Sequence, residues 1–146
     1  MAVNPIPPEY GTVTPYLVVN DAAGLIDFAK QVFGAEERGR MPRPDGKVGH
    51  AELSFGDRIV MLGDAGAENP ARDSILVLYV NDCDATYRKA LEAGGTTEME
   101  PENQFYGDRR AGVNAFGVSW YVHTHIEDVS PEEMEKRMSA MQPSAS

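Results

Sequence analysis

The sequence predicts an α+β fold of two paired βαβββ modules with the helices outside, and three observations carry that prediction. First, residues 14–37 (TPYLVVNDAAGLIDFAKQVFGAEE) align without a gap on residues 75–98 (ILVLYVNDCDATYRKALEAGGTTE), matching Leu17 to Leu78, Val19 to Val80, Asn20 to Asn81, Asp21 to Asp82, Ala29 to Ala90, Gly34 to Gly95 and Glu37 to Glu98. Second, each copy reads as a strand, an Asn-Asp cap, an amphipathic helix and a Gly stop, and hairpin patterns follow it. Third, 42% of the residues are apolar, enough for one core shared by two half-size modules. Two repeats are too few for a solenoid, so they pair into one pseudo-symmetric unit.

Taken in order, residues 1–11 form an extended arm, because Pro5, Pro7 and Pro8 disfavour helix and central strand. Module 1 spans residues 12–63. Its first strand, over residues 12–19, leads to Asn20-Asp21, which caps a helix running to about Phe33, with Leu25, Ile26, Phe28, Ala29 and Val32 as the apolar stripe. The stretch 41–47 (MPRPDGK) is a turn-rich loop. It feeds HAELSF, Gly56-Asp57 and RIVML, a hairpin in which Phe55 pairs with Arg58, Glu52 with Met61 and His50 with Gly63. Alternation then puts Ala51, Leu53, Phe55, Val60 and Leu62 under the helix, and His50, Glu52, Ser54, Ile59 and Met61 on the other face.

Residues 64–74 have linker composition, and module 2 spans 75–126. It repeats the strand and helix, then carries a short strand, the polar-aromatic segment NQFYGDRR, a second hairpin around 114–117 and the strand VSWYVHTH. Residues 127–146 hold a C-terminal helix and tail. Ser130-Pro131-Glu132-Glu133 is a capping box, Met134, Met138 and Met141 follow at helical spacing as a packing stripe for the domain or a partner subunit, and QPSAS reads as disordered.

Charge and composition exclude some functions. A net charge of −10 without a long Lys/Arg cluster repels nucleic acid. No apolar run approaches the roughly 18 residues of a membrane span, and MAVNPIPPEY has no signal-peptide core, so a cytoplasmic protein is expected. The single Cys83 excludes an internal disulfide; placed just after the second cap, its thiol is a first-turn helix group open to slight activation.

The stretches VVNDAAGLIDFAKQVFGAEE, HAELSFGDRIVMLGD, QFYGDRR and HIEDVSPEEM together resemble the vicinal oxygen chelate superfamily, in the branch labelled glyoxalase/bleomycin resistance protein/dioxygenase, PhnB-like. The likeness runs from about Thr12 to Met138. It implies a curved mixed sheet from two paired modules around a central cavity, and often a homodimer. Enzymes of the superfamily commonly hold a divalent metal through four side chains, which chelates two substrate oxygens and stabilises an enediolate or oxyanion. Carried onto this chain, those positions fall on Thr14, Ile75, Met61 and Tyr121. None is a His or a carboxylate, so the resemblance implies no metal and no cofactor here. Relatives tend to read DPFGH at the second hairpin and to carry a His in the first strand of module 2, where this chain has NAFGV, ending at Val118, and Val77. The cavity thereby gains apolar surface, which favours an apolar or aromatic ligand over a small oxyacid.

The candidate residues follow from these faces. His50 and Glu52 share one face of a strand and can act as a general acid/base pair; equally, Glu52 can be a buried hydrogen-bonded or ion-paired group, with Arg109 or Arg110 as partner, and His50 a rim residue. His123 and His125 share the face of Tyr121 and with His50 offer a non-standard metal half-site, or, for His125, a structural hydrogen bond. Phe105, Tyr106 and Tyr121 beside Arg109 suit a flat, partly anionic ligand. The competing reading places Trp120 in the helix-facing core and Arg109 in a local pair with Asp108. Thr14, Tyr16, Ile75, Val77 and Tyr79 are candidate cavity walls, together with Met61. The first function to expect is a metal-free protein that binds or sequesters an apolar or aromatic metabolite or antibiotic. The alternatives are a cofactorless isomerase, lyase or cyclase using Glu52 or His50 as base, and a metal-dependent enzyme with relocated ligands.

Overall fold

The computed structural model describes residues 2–141, so the QPSAS tail lies outside the described residues. Module 1 consists of β1 (Tyr16–Val19), α1 (Ala22–Phe33), β2 (Glu36–Pro42), β3 (Val48–Phe55) and β4 (Arg58–Asp64). Module 2 consists of β5 (Ser74–Tyr79), α2 (Cys83–Glu92), β6 (Thr96–Asn103), β7 (Asp108–Ala115) and β8 (Val118–His125), and α3 (Pro131–Met141) follows. The sequence repeat becomes a repeat of topology. One open mixed sheet has the order β1-β4-β3-β2 and the other β5-β8-β7-β6, with the first strand parallel to the last in each.

The helix caps act as their sequence predicts. Asp21 and Asp82 accept from the amides of Gly24 and Ala85, each satisfying a donor that the first helical turn leaves free, worth about 1 kcal/mol. Gly34 ends α1 in the left-handed conformation. Asp64 adds a tie across module 1, accepting from the backbone amides of Ala22 at 2.8 Å and Val48 at 2.7 Å.

Two boundaries differ from the sequence reading. The first strand starts at Tyr16 rather than at residue 12, although the Pro15 carbonyl still accepts from Met61. Residues of the supposed 41–47 loop, Met41 and Pro42, close strand β2, whose sequence EERGRMP is mostly exposed and has no apolar alternation to announce it. Both hairpins have two-residue turns. Phe55 pairs with Arg58 and Glu52 with Met61 in the first. In the second, Ala115 pairs with Val118 around Phe116 and Gly117, whose φ angles of 56° and 76° are those of the turn that matches strand twist.

Each sheet has one covered face and one open face. Ala51, Leu53, Val60 and Leu62 of module 1, and Val113, Val118 and Trp120 of module 2, belong to one core that also takes in α1 and Ala90 of α2. The two helices touch each other as well as their own sheets. The seam between the modules is aromatic: Trp120, fully buried, lies 5.3 Å from the Phe33 ring and 5.4 Å from that of Phe28, and its Nε1 donates to the Ala115 carbonyl. Trp120 is therefore core, as the competing reading held. Helix α3 fully buries none of its residues; Met134 is half-buried while Met138 and Met141 remain exposed, so the domain covers only the start of the methionine stripe.

Candidate functional site

The open faces carry the candidate residues, but they are two faces rather than one. On module 1 they are Tyr16 of β1, Met61 of β4, and His50 and Glu52 of β3. A groove of about 460 Å³ beside them is lined by Tyr16, Val18, Arg43, Gly49 and Gly63, among others. On module 2 they are Ile75, Val77 and Tyr79 of β5, Tyr121 and His123 of β8, and Arg110 of β7, with a groove of about 330 Å³ lined by Arg110, Met99, Glu100, Pro101, Glu102 and Gln104.

Glu52 is a satisfied carboxylate. Tyr10, from the N-terminal arm, donates to it with its hydroxyl 2.9 and 2.8 Å from the two oxygens, Arg38 stands 3.6 Å away, and the His50 Nε2 is at 3.4 Å. Its hydrogen bond to Glu52, and secondarily burial, push the Tyr10 phenol up. The partner expected from Arg109 or Arg110 is thus Arg38, because both other arginines lie on β7 in the second sheet. Thr14 sits before β1, where its hydroxyl donates to the Tyr10 carbonyl at 3.4 Å. Tyr16 is 46% exposed and its ring lies 5.7 Å from that of His50.

On module 2 the alternation of β7 separates two neighbouring arginines. Arg109 turns to the helix side and holds Asp84 through Nε at 2.7 Å and Nη2 at 3.1 Å, with Nη1 on Asn103. Neither a ligand role on the open face nor a pair with Asp108 fits that placement. Arg110 pairs in register with His123 and so shares the open face, and its Nε is buried with no hydrogen-bond partner among the described residues. Such a donor costs about 1–3 kcal/mol unless something supplies an acceptor.

Asp108, 2% exposed, is the hub that the sequence reading missed. One oxygen accepts from the Tyr79 hydroxyl at 2.6 Å and lies 3.0 Å from His123 Nδ1, and the other is 2.8 Å from His125 Nδ1. Burial alone would push its carboxyl up, but the hydrogen bonds from Tyr79, His125 and His123 together outweigh it and hold the group below the ordinary value. His125 is raised in turn, first by Asp128 at 2.7 Å and then by Asp108. It makes hydrogen bonds of the kind foreseen for it, to Asp108 and Asp128. Tyr79 is pushed up by donating to Asp108. Tyr106 stacks over His123 at 6.3 Å and meets Phe105 edge-on at 5.3 Å. The signal for this hub was present in the spacing, since Asp108, His123 and His125 share a face once the second hairpin turns at Phe116-Gly117. Cys83 is buried, its Sγ donating to the Val122 carbonyl, and its thiol is pushed up by burial and by Asp84, the reverse of activation.

The superfamily's metal does not fit the residues at its positions. Met61 and Ile75 offer no hard donor, and the Thr14 hydroxyl is turned to the Tyr10 carbonyl. Among the described residues no three His, Cys, Asp or Glu side chains group in a way that could hold an ion.

Comparison with known proteins agrees with this architecture. The family model described as Glyoxalase/Bleomycin resistance protein/Dioxygenase superfamily matches residues 11–121. An uncharacterized protein of Mycobacterium bovis is 37% identical over 152 residues, covering 96% of this chain and 97% of its own. Among solved structures, TioX from Micromonospora sp. ML1 superposes with a TM-score of 0.65 at 22% identity, covering 80% of this chain and 100% of its own. FosX, a fosfomycin resistance protein from Listeria monocytogenes, superposes with a TM-score of 0.65 at 14% identity, covering 85% and 97%. At those identities the two structures share the fold. The family model spans most of the chain and the repeat recurs as topology, so the chain belongs to the glyoxalase/bleomycin resistance protein/dioxygenase superfamily.

Proposed function

We propose that this protein binds an apolar or aromatic small molecule against the open faces of its sheets, without a divalent metal, and that a second copy of the chain completes the site. The observation that carries the reading is the exposure of Tyr16, Ile75, Val77 and Tyr79, at 46, 61, 55 and 65%, on the faces turned away from the core. Large apolar side chains gathered on one side of a sheet mark an interaction surface. A site enclosed by a second copy removes them from water, which the single chain does not do. Superfamily membership supports a small-molecule site without choosing between binding and catalysis, since the family name spans both.

The test joins two measurements. Sedimentation equilibrium reads the oligomeric state of wild type and Ile75→Asp, and ligand-observed NMR screens neutral and charged aromatic compounds against both. A dimer that Ile75→Asp splits, with loss of aromatic binding, is the expected result. A monomer that binds none of the compounds sinks the proposal.

A cofactorless enzyme is the second reading, and one observation favours it. Asp108 fixes the His123 ring through Nδ1, leaving Nε2 without a protein hydrogen bond among the described residues, the arrangement of an oriented base. Glu52 and His50 suit that role less, because Tyr10 and Arg38 already engage the carboxylate. Turnover abolished by His123→Gln but retained in Glu52→Gln would support it.

A further inference from the structure

We infer that the open face of module 2 takes the carboxylate of a flat aromatic acid, with Arg110 as its receptor. The inference rests on the small-molecule reading above and narrows it to one ligand class.

Arg110 is the feature that points there. The chain carries 23 acidic residues against 13 basic ones, yet this half-buried guanidinium has no hydrogen bond or ion pair to any described residue, while Arg109 beside it is fully engaged by Asp84 and Asn103. Arg110 stands in register between His123 of β8 and Glu102 of β6, and it lines the groove of about 330 Å³ on that face. A guanidinium presents adjacent N–H groups as a fork that matches the two oxygens of a carboxylate; here Nη1 and Nη2 are open and have no partner among the described residues, whereas the unpartnered Nε is buried beneath them.

The surroundings admit an anion on this side. Asp108 is the nearest buried carboxylate on the face, and Tyr79, His123 and His125 already bond its two oxygens. Two carboxylates oppose it, Glu100 and Glu102, both exposed and both lining the groove, with Glu102 the register partner of Arg110. Flat partners are at hand for a ring. The Tyr121 ring lies against Gly112, next to Arg110 on β7, at 3.3 Å from the point a Cβ would occupy, and Tyr106 stacks over His123. Aromatic rings on the same sheet face as a free guanidinium can take the ring of a planar acid while the charge takes its carboxylate.

The test uses the full chain and two probes that share a ring system, 2-naphthoate and the neutral 2-naphthylmethanol, with inorganic phosphate as a third, each titrated by calorimetry. The inference predicts naphthoate binding about tenfold or more tighter than the alcohol, the margin of one good charge-assisted contact. Arg110→Met removes that margin and leaves the alcohol unchanged, and Glu102→Gln widens it without touching the core. Equal binding of naphthoate and alcohol, or a margin that survives Arg110→Met, overturns the carboxylate assignment while leaving the small-molecule reading standing. Phosphate binding as tight as naphthoate overturns the aromatic class. If neither naphthyl probe binds, this inference falls, and the small-molecule reading is decided by the wider aromatic screen and the oligomeric state. Should Arg110→Met lose its fold by circular dichroism, the Glu102→Gln result decides: no change in the margin overturns the inference.

Discussion

Asp108 holds three side chains at once, and its ionisation couples the second module's open face to pH. Its carboxyl is held below the unfolded value of about 3.9, so its contribution to stability is present above that pH and fades as pH falls through the lowered folded value. His125 works in the opposite direction. Held above its unfolded value of about 6.5, it contributes fully below that pH and loses the contribution as pH rises through the raised folded value. Asp108→Asn is therefore expected to cost about 2–3 kcal/mol near neutrality, the worth of hydrogen bonds to a buried charge, and progressively less below about pH 4. Urea denaturation of both proteins from about pH 3 to 8 checks this, and a cost independent of pH would refute the charge-based account. Gly107, the residue before Asp108, is itself held by the backbone of the segment after β8. It has φ 103°, its carbonyl accepts from Ile126 and Glu127, and a Cβ there would run into the Glu127 carbonyl. Gly107→Ala should cost at least the roughly 1–3 kcal/mol of a forbidden conformation, read as a lowered melting temperature.

At the level of elements, the sequence was most legible where a short turn sets the register. Gly56-Asp57 allowed Glu52 to be paired with Met61 from composition alone, and both helices could be bounded from their Asp caps. Strand β2 escaped because an edge strand exposed along most of its length needs no apolar period, and two bulges interrupt its pairing with β3. The exchange of Arg110 for Arg109 has the same kind of cause. A bulky Phe116 in a left-handed position disguised the turn at 116–117, and a register uncertain by one residue moves every side chain of β7 to the other face. The arm is the element no pattern could place, since the bond from Tyr10 to Glu52 joins residues remote in sequence. Tyr10→Phe should free it, visible as faster amide hydrogen exchange over residues 9–14 with exchange in α1 unchanged; equal exchange in both proteins would show that the arm is held elsewhere.

For the molecule as a whole, the central fact is that one core serves both modules while each sheet keeps an open face of its own. Helices α1 and α2 meet, and the aromatic side chains of Phe28, Phe33 and Phe55 surround Trp120 from across the seam. The modules should therefore unfold together, in one calorimetric transition whose van't Hoff and measured enthalpies agree. Trp120→Ala is expected to remove about 3–5 kcal/mol, enough to threaten the fold, and two separate transitions in wild type would show the modules to be independent.

The position of Trp120 also decides which optical assays will work on this protein. It is the only tryptophan in the chain, and it lies fully buried on the core side of its sheet, whereas Tyr121, Tyr79 and Tyr16 lie on the open faces. Its emission will report the integrity of the seam, shifting to the red when the modules part. A compound settling on the open faces will leave that emission almost unchanged, so a flat tryptophan titration says little about affinity, and the tyrosines are the chromophores to watch.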